Sequence, residues 1–293
     1  MKPPRFSYHD PTTRSEVLTL LDTYTDDAKI LAGGQSLVPL LNMRLAQPAH
    51  LVDINHVSDL AYICEVEGGL AIGALARHRD VERSELVRRR CPLLAEAIPF
   101  VGHAPIRSRG TIGGSLAHAD PAAELPTVLV ALGGHVRAES RDGGREIAAE
   151  AFFVSALQTA LSSKELLTEV WFPVAPPRSG SAFVEVSRRH GDFALVGVAA
   201  QLTLDEHATI CAAHVALMGV AATPIRVQAA EALLLGEKPR EASFAAAAEQ
   251  AIIGIDPDTD MHASADYRRR VARVLVLRAL RAASERAQKG KNE

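Results

Sequence analysis

The pentapeptide AGGQS at residues 32–36 follows a short apolar segment, residues 29–31, and precedes a run with helical apolar spacing, residues 37–45. This order predicts a strand, a glycine turn and a helix, with Ser36 as the N-cap of the helix. Glycines at such a turn let main-chain amides approach an anion, and the helix dipole favours negative charge there. The turn alone favours a structural role, because a strand-to-helix turn needs glycine for its backbone angles and most such turns bind nothing.

A second pentapeptide, TIGGS at residues 111–115, repeats the paired glycines with a hydroxyl directly after them. Two such loops in one domain would allow a diphosphate to be held from both sides. Neither has the GxGxxG spacing of a Rossmann site or the GxxxxGK[ST] spacing of a P-loop, so both of those folds are disfavoured. A different dinucleotide-binding fold is required.

Local signals around the pentapeptides predict both helices and short strands. Thr13 and Glu16 have the spacing of a capping box, ahead of an apolar stripe that ends at Tyr24. Asp120 and Pro121 have the residue types of an N-cap and a first helical position. Strands are predicted at residues 51–54, 62–66, 70–73, 135–139, 166–172, 182–188, 194–204 and 210–219.

A proline-rich segment is the best candidate for a domain boundary. Residues 173–180 contain three prolines and one glycine and show no periodicity. Beyond them, strands are followed by helices, the longest of which is predicted over residues 265–287. At 293 residues with 47% hydrophobic side chains, the chain is long enough for two domains, each with its own core.

Composition excludes several classes of function. A formal net charge of −3 gives no electrostatic reason to expect a nucleic acid as partner. The three cysteines lie far apart and do not form the four-thiolate set of an iron-sulfur cluster, so a redox centre in this chain is expected to be organic. The start, MKPPRF, lacks a signal-peptide core and no run is long enough for a membrane span, which predicts a cytoplasmic protein.

Neither a metal site nor a nucleophilic catalytic site is predicted. There are 11 histidines but no HExxH motif, and His118 with Asp120 has no third ligand nearby in sequence. Ser36 and Ser115 lie outside any GxSxG elbow, so capping or phosphate contact is the preferred role for both.

Longer segments around the pentapeptides carry a family resemblance. LLNMRLAQPAHLVDIN at residues 40–55 and LAHADPAAELP at residues 116–126 join the two pentapeptides in a pattern that resembles the medium, FAD-binding subunit of the molybdenum hydroxylases, the carbon monoxide dehydrogenase and xanthine dehydrogenase family. SAFVEVSRRHGDFALVGVAA at residues 181–200 and DYRRRVARVLVLRAL at residues 266–280 extend the resemblance over the rest of the chain.

The resemblance implies an α+β fold with two parts. Residues 1–176 would form a vanillyl-alcohol-oxidase (PCMH)-type FAD-binding domain, with subdomains at about 1–55 and 56–176. Residues 177–293 would form a C-terminal α+β domain, a sheet with helices, like the carbon monoxide dehydrogenase flavoprotein C-terminal domain.

The resemblance also implies which residues bind FAD. The diphosphate is expected between the two pentapeptides, which assigns to the cofactor Ala32, Gly33, Gly34, Gln35, Ser36, Thr111, Ile112, Gly113, Gly114 and Ser115. Val101 is expected to lie against the cofactor, Glu124 to accept a hydrogen bond from its adenosine side, and Leu161 to border it through the main chain. By residue type alone, Glu124 near a helix start would be a dipole partner.

Two further residues are assigned to the flavin ring. Phe193 falls near the position where the family places a side chain, often aromatic, by the flavin, and Asp192 is the acid of the preceding GD pair. By residue type alone, Phe193 in an apolar strand would be a core residue. Some xanthine dehydrogenases have a lysine near the flavin at position 184, whereas this chain has Val184, which disfavours NAD+ as the acceptor.

The function implied by the resemblance is electron transfer within a complex. A large molybdopterin subunit would oxidise the substrate, two [2Fe-2S] clusters in a small subunit would relay the electrons, and the FAD of this chain would pass them to an external acceptor. A dimer of such heterotrimers is expected. Two alternatives stay open: a self-sufficient flavin-dependent oxidase or reductase of the same fold, and a non-catalytic scaffold subunit.

Overall fold

The computed structural model describes residues 2–289, and its N-terminal part is a small parallel sheet with helical connections. The elements are β1 (Ser7–His9), α1 (Arg14–Tyr24), β2 (Ala28–Leu31), α2 (Leu37–Asn42) and β3 (His50–Asp53). The three strands are parallel, in the order β1–β3–β2. The predicted capping box is confirmed, because the Thr13 hydroxyl accepts from the amide of Glu16 while the Glu16 carboxylate accepts from the amide of Thr13.

The start of α2 differs from the prediction. Ser36 has helical backbone angles, φ −100° and ψ −47°, and its side chain makes no capping hydrogen bond. An N-cap side chain reaches the free amides only from an extended backbone, so the prediction that Ser36 caps this helix is wrong. The helix is also shorter than predicted and is followed by Arg44 in the left-handed region, at φ 60°.

The middle of the chain forms a second sheet with a layer of short helices. Its strands and an accompanying hairpin are β4 (Ile63–Val66), β5 (Gly69–Gly73), β6 (His135–Ser140), β7 (Gly143–Ala148), β8 (Phe153–Ser155), β9 (Gln158–Thr159) and β10 (Leu166–Pro173). The antiparallel sheet has the order β4–β5–β10–β6–β7, and β8 pairs with β9. The helices are α3 (His78–Arg83), α4 (Glu85–Arg90), α5 (Pro92–Ala97), α6 (Ala104–Arg107), α7 (Ile112–His118), α8 (Glu124–Leu132) and α9 (Ala149–Phe152).

Two local predictions in this part are corrected. The second pentapeptide is not a loop, because Thr111 is the N-cap of α7 and the paired glycines lie inside that helix. Asp120 does not cap α8, which begins at Glu124. Instead, the Asp120 carboxylate accepts a hydrogen bond from the amide of Ala122 at 2.8 Å and closes a separate turn before the helix.

The C-terminal part is a third sheet covered by long helices. Its elements are β11 (Ser179–Ser187), β12 (Ala194–Leu204), β13 (Ile210–Met218), β14 (Ile225–Arg226), α10 (Gln228–Ala232), α11 (Glu241–Ala251) and α12 (Ala265–Lys289). The strands are antiparallel in the order β11–β12–β13–β14. The connection between Pro173 and Ser179 contains the predicted domain boundary at 176/177; that boundary and the subdomain division near residue 55 stay predictions, and residues 290–293 lie outside the described residues.

Both faces of the third sheet are buried. On one face, Phe183, Ala199 and Met218 join the core that α5 and α8 share with the second sheet. On the other face, Val196 and Val198 pack beneath α12. Side chains alternate between the faces of a strand, so β11 presents neighbouring residues to two different environments. Within residues 2–289, no helix has the length and apolar character needed to cross a membrane.

Candidate cofactor site

The two glycine pentapeptides lie side by side. A β-carbon added to Gly33 would overlap the carbonyl of Arg109 and lie 2.8 Å from the α-carbon of Gly110. A β-carbon added to Gly114 would lie 3.8 Å from the Ala32 side chain. Only glycine at position 33 permits this approach of the main chains. The fold therefore brings two segments together that are about 80 positions apart in sequence.

The first pentapeptide leaves its main-chain donors free. Among the described residues, no acceptor is bonded to the amides of residues 33–36. The turn is shaped by Gly34, at φ 73°, and by the Gln35 side chain, which donates to the Gly33 carbonyl at 3.0 Å. These residues line a cleft of about 340 Å³, together with the start of α2, Asp53, Asn55 and Arg109. Free amides beside a cationic side chain form an environment suited to an anion.

In the second pentapeptide, the amides of residues 112–115 all donate hydrogen bonds within the fold. Ile112 donates to the Ala76 carbonyl at 3.0 Å, and Gly113 donates to the Ala74 carbonyl at 2.9 Å. The amides of Gly114 and Ser115 donate to the hydroxyl and the carbonyl of Thr111, each at 3.0 Å. The Ser115 hydroxyl has no partner among residues 2–289. This segment therefore offers a narrow glycine surface and one hydroxyl rather than a set of main-chain donors.

A polar network that the sequence analysis missed holds the first turn against the second segment. The Asn55 amide group donates to the Ala32 carbonyl at 2.8 Å, and Arg77 donates to the Asn55 side-chain oxygen at 2.6 Å. Arg77 also donates to the Arg109 carbonyl at 2.5 Å. The guanidinium thus links both sides of the cleft. Asn55 ends the LVDIN segment and follows the end of a strand. A polar residue at such a position was the available signal for a site residue.

Val101 and Leu161 occupy different surroundings near this cleft. Val101 is 9% exposed and belongs to the main core, in the turn between α5 and α6. Arg107 fixes that turn by donating to the carbonyls of Pro99 and Gly102, both at 3.1 Å. Leu161 is half-buried just after β9, which packs against α7. Leu161 therefore borders the segment that contains the second pentapeptide, while Val101 shares a core with Ile112 of that segment.

Asp192 and Phe193 lie at the exposed turn between β11 and β12. Phe193 is 72% exposed, so the alternative reading of this residue as part of the core is wrong. Gly191, at φ 86°, packs on the His103 ring, with no room for a β-carbon. This contact places the turn beside the Val101 segment. No hydrogen bond among the described residues joins Asp192 or Phe193 to the first pentapeptide.

Two acidic side chains near the junction of α8 and the third sheet are shielded from solvent: Glu124 is buried at the start of α8, and Glu185 is half-buried on β11. Glu124 is 8% exposed, and burial and the charge of Asp120 raise its pKa to about 7. Burial and the charge of Glu124 raise the pKa of Glu185 to about 8. Val184 packs with the core beneath α12, so the residue of β11 that points toward the first domain is Glu185. The sequence analysis considered position 184 and missed this acid.

Residues 4–175 match the family described as "FAD binding domain in molybdopterin dehydrogenase". Residues 181–283 match the "CO dehydrogenase flavoprotein C-terminal domain". The chain belongs to the FAD-binding medium subunits of the molybdenum hydroxylases.

Individual relatives of this family cover nearly the whole chain. The 6-hydroxypseudooxynicotine dehydrogenase complex subunit alpha of Paenarthrobacter nicotinovorans is 47% identical over 287 residues, which is 98% of this chain and 97% of the relative. The carbon monoxide dehydrogenase medium chain of Hydrogenophaga pseudoflava is 37% identical over 283 residues, 97% of this chain and 98% of that one. A chain in a solved structure of carbon monoxide dehydrogenase from the same organism matches with a TM-score of 0.95 and 39% identity, covering 98% of this chain and 99% of that one.

The predicted α+β fold is confirmed by these matches, and the chain is an oxidoreductase subunit whose cofactor is FAD. The donor set of the cleft fits that cofactor. Four free amides and Arg109 suit a diphosphate, and Gly114 presents no side chain toward the first pentapeptide. Within residues 2–289, no three His, Cys, Asp or Glu side chains group as metal ligands.

The variant Phe193→Ala tests whether the exposed Phe193 side chain contacts the flavin or contributes to packing. We expect Phe193→Ala to change flavin fluorescence or reduction potential while the melting temperature stays within about 1 °C of wild type, because little apolar surface is lost. Phe183→Ala is the control, since Phe183 is 5% exposed and its removal should cost about 3–5 kcal/mol of stability. A melting temperature that falls with unchanged flavin properties would assign Phe193 to packing.

Proposed function

We propose that this chain is the electron-exporting subunit of a molybdenum hydroxylase complex. It receives electrons from [2Fe-2S] clusters in a small partner subunit and passes them to an external acceptor. A large molybdopterin subunit oxidises the substrate, and two such heterotrimers assemble into a dimer. The observation that carries the proposal is the cleft with free amides at the first pentapeptide, in a chain of the medium-subunit family.

The two pentapeptides would hold the diphosphate by different means. The amides of residues 33–36 donate hydrogen bonds to its oxygens, and Arg109 adds positive charge at the cleft wall. Ser115 donates its hydroxyl from α7, and Gly114 presents no side chain beside it, while Gly113 allows α7 to pack closely on Ala74. Thr111 and Ile112 act mainly by fixing the start of α7. The Thr111 hydroxyl accepts a hydrogen bond from the Gly114 amide, and the Ile112 amide donates to the Ala76 carbonyl.

Other residues would orient the two ends of the cofactor. Glu124 accepts a hydrogen bond from the adenosine side, and Leu161 borders the cofactor through its main chain. Val101 presents an apolar surface that Arg107 holds in place. Asp192 and Phe193 would lie by the flavin ring, where the exposed aromatic side chain of Phe193 would shield and orient the ring. When bound, FAD supplies a centre that takes up and releases electrons.

The proposal is tested by following the flavin absorbance without oxygen. We expect no bleaching when an aldehyde, a nitrogen heterocycle or carbon monoxide is added to the isolated FAD-loaded chain. With the small and large subunits present, the substrate of the complex should bleach the flavin. Bleaching in the isolated chain would favour the self-sufficient flavoenzyme, and a colourless chain that still assembles with its partners would favour the scaffold.

A further inference from the structure

The residues at the start of α3 bind three successive carbonyls in the segment before α7. Arg77 donates from Nη1 to the Arg109 carbonyl at 2.5 Å, and the His78 amide donates to the Gly110 carbonyl at 3.0 Å. The His78 ring nitrogen Nε2 lies 2.9 Å from the Thr111 carbonyl. Because a carbonyl oxygen only accepts, Nε2 carries the proton and donates. The second pentapeptide therefore begins at a main-chain position that Arg77 and His78 fix.

The same arginine reaches the first pentapeptide through Asn55. Its other terminal nitrogen, Nη2, donates to the Asn55 side-chain oxygen at 2.6 Å, and the Asn55 amide group donates to the Ala32 carbonyl at 2.8 Å. Asn55 is held in turn by Asp53, whose carboxylate accepts from the Asn55 main-chain amide at 2.9 Å. One guanidinium thus connects the Ala32 carbonyl to the Arg109 carbonyl.

These two carbonyls lie where the glycine segments touch. A β-carbon on Gly33 would overlap the Arg109 carbonyl, so the main chains are in contact there. Ala32 directly precedes Gly33, and in a trans peptide unit the carbonyl oxygen and the following N–H point in opposite directions. The hydrogen bond to the Ala32 carbonyl therefore fixes the direction of the Gly33 amide, which is one of the free donors of the cleft.

Arg77 itself is placed behind the cleft. The residues that line the cleft include Asn55 and Arg109 but not Arg77. Each terminal nitrogen of Arg77 already donates to a protein oxygen. Arg109 supplies the positive charge at the cleft wall, so the contribution left to Arg77 is the arrangement of the main chain.

We propose that Arg77 is the positioning residue of the cofactor site: it sets the spacing of the two pentapeptides and the direction of the Gly33 amide without contacting FAD. The inference rests on the proposed FAD site. A guanidinium suits this role because its planar fork holds two acceptors in a fixed arrangement, whereas a lysine ammonium is a single point of charge. Arg77 therefore controls FAD affinity through geometry rather than through charge.

The experiment measures the FAD affinity of the apo full-length chain by flavin fluorescence. We expect Arg77→Met to weaken binding by roughly 10- to 100-fold, because two hydrogen bonds from a charged group are lost. Arg77→Lys should weaken it almost as much, since the charge remains but the bridge does not. The matched control is Arg79→Met on α3, which removes a side chain that is 49% exposed and should stay within about twofold of wild type.

Three readouts separate positioning from charge and from loss of folded protein. A geometric loss of affinity should be the same at about 0.1 M and about 1 M salt, whereas an attraction between charges is screened at high salt. At saturating FAD, Arg77→Met should still take up a full complement of flavin, which locates the loss in affinity. Arg77→Met combined with Asn55→Ala should weaken binding by less than the product of the single effects, because both residues act on the Ala32 carbonyl through one chain of hydrogen bonds.

The outcomes distinguish this inference from the proposed function. Wild-type affinity in Arg77→Met or Arg77→Lys, a loss that disappears at high salt, or fully multiplicative effects with Asn55→Ala would each overturn the positioning role and leave the FAD site intact. Absence of FAD binding by the wild-type chain would overturn the site and this role together. If Arg77→Met does not fold, the affinity of Arg77→Lys and its salt dependence decide the question.

Discussion

Gly33→Ala is expected to weaken FAD binding by roughly 10- to 100-fold, although it adds a single methyl group. The new β-carbon would overlap the Arg109 carbonyl, which is main chain and cannot rotate away. The first turn and the segment before α7 would have to move apart, and overpacking of this kind costs about 1–3 kcal/mol. FAD affinity, measured by fluorescence titration of the apo chain, reports the change.

Two other glycine variants serve as controls for this effect. Gly144→Ala places a β-carbon on β7 with its nearest neighbour at 3.4 Å, so FAD affinity should match wild type. At Gly114 the β-carbon would meet a side-chain atom, the Thr111 hydroxyl at 2.8 Å, rather than a main-chain carbonyl, so Gly114→Ala should weaken binding less than Gly33→Ala. Wild-type affinity in the Gly33 variant would show that the contact between the two segments does not shape the site.

Local sequence signals were sufficient to predict some elements of this structure correctly. Thr13 and Glu16 satisfy each other within one helical turn, so their spacing predicted the start of α1 correctly. The glycines of both pentapeptides were recognised, and the family resemblance predicted the α+β fold. Asp120 shows the limit of local signals: a cap residue followed by proline fits a turn as well as a helix start, and the turn formed.

The remaining features depend on contacts between distant segments. In the second pentapeptide, the amides of Ile112 and Gly113 are not free because the carbonyls of Ala76 and Ala74 lie beside them, which no pattern within TIGGS encodes. Val184 and Glu185 lie on opposite faces of β11, and both faces of the third sheet are buried. In such a strand hydrophobicity does not alternate clearly, so the sequence does not reveal which residue faces which domain.

Arg107→Met should lower the melting temperature by roughly 10 °C and reduce FAD content. The Arg107 side chain is 12% exposed and bonds to Glu82 at 2.9 Å while donating to carbonyls of the Val101 turn. The ion pair is partly buried, with the Glu82 side chain 28% exposed, so breaking it costs less than the about 3–5 kcal/mol of a fully buried pair, and the lost hydrogen bonds to the turn add to that cost. Each kcal/mol corresponds to about 2–4 °C for a protein of this size class. The Val101 turn also loses its hydrogen bonds, so the apolar wall next to the cofactor is expected to loosen. Differential scanning calorimetry measures the first effect and flavin absorbance the second.

Two further variants test whether the loss of stability in Arg107→Met comes from its partly buried ion pair with Glu82. Arg88→Met removes an exposed partner of Glu85, whose side chain is 72% exposed, and should cost less than about 1 kcal/mol. Adding Glu82→Gln to Arg107→Met removes the partly buried unpaired charge and should recover part of the lost stability, because that charge would otherwise have no partner. FAD content should not recover with it, since the carbonyls of the Val101 turn still lack their donor. Equal melting temperatures for Arg88→Met and Arg107→Met would show that the turn is held by packing alone.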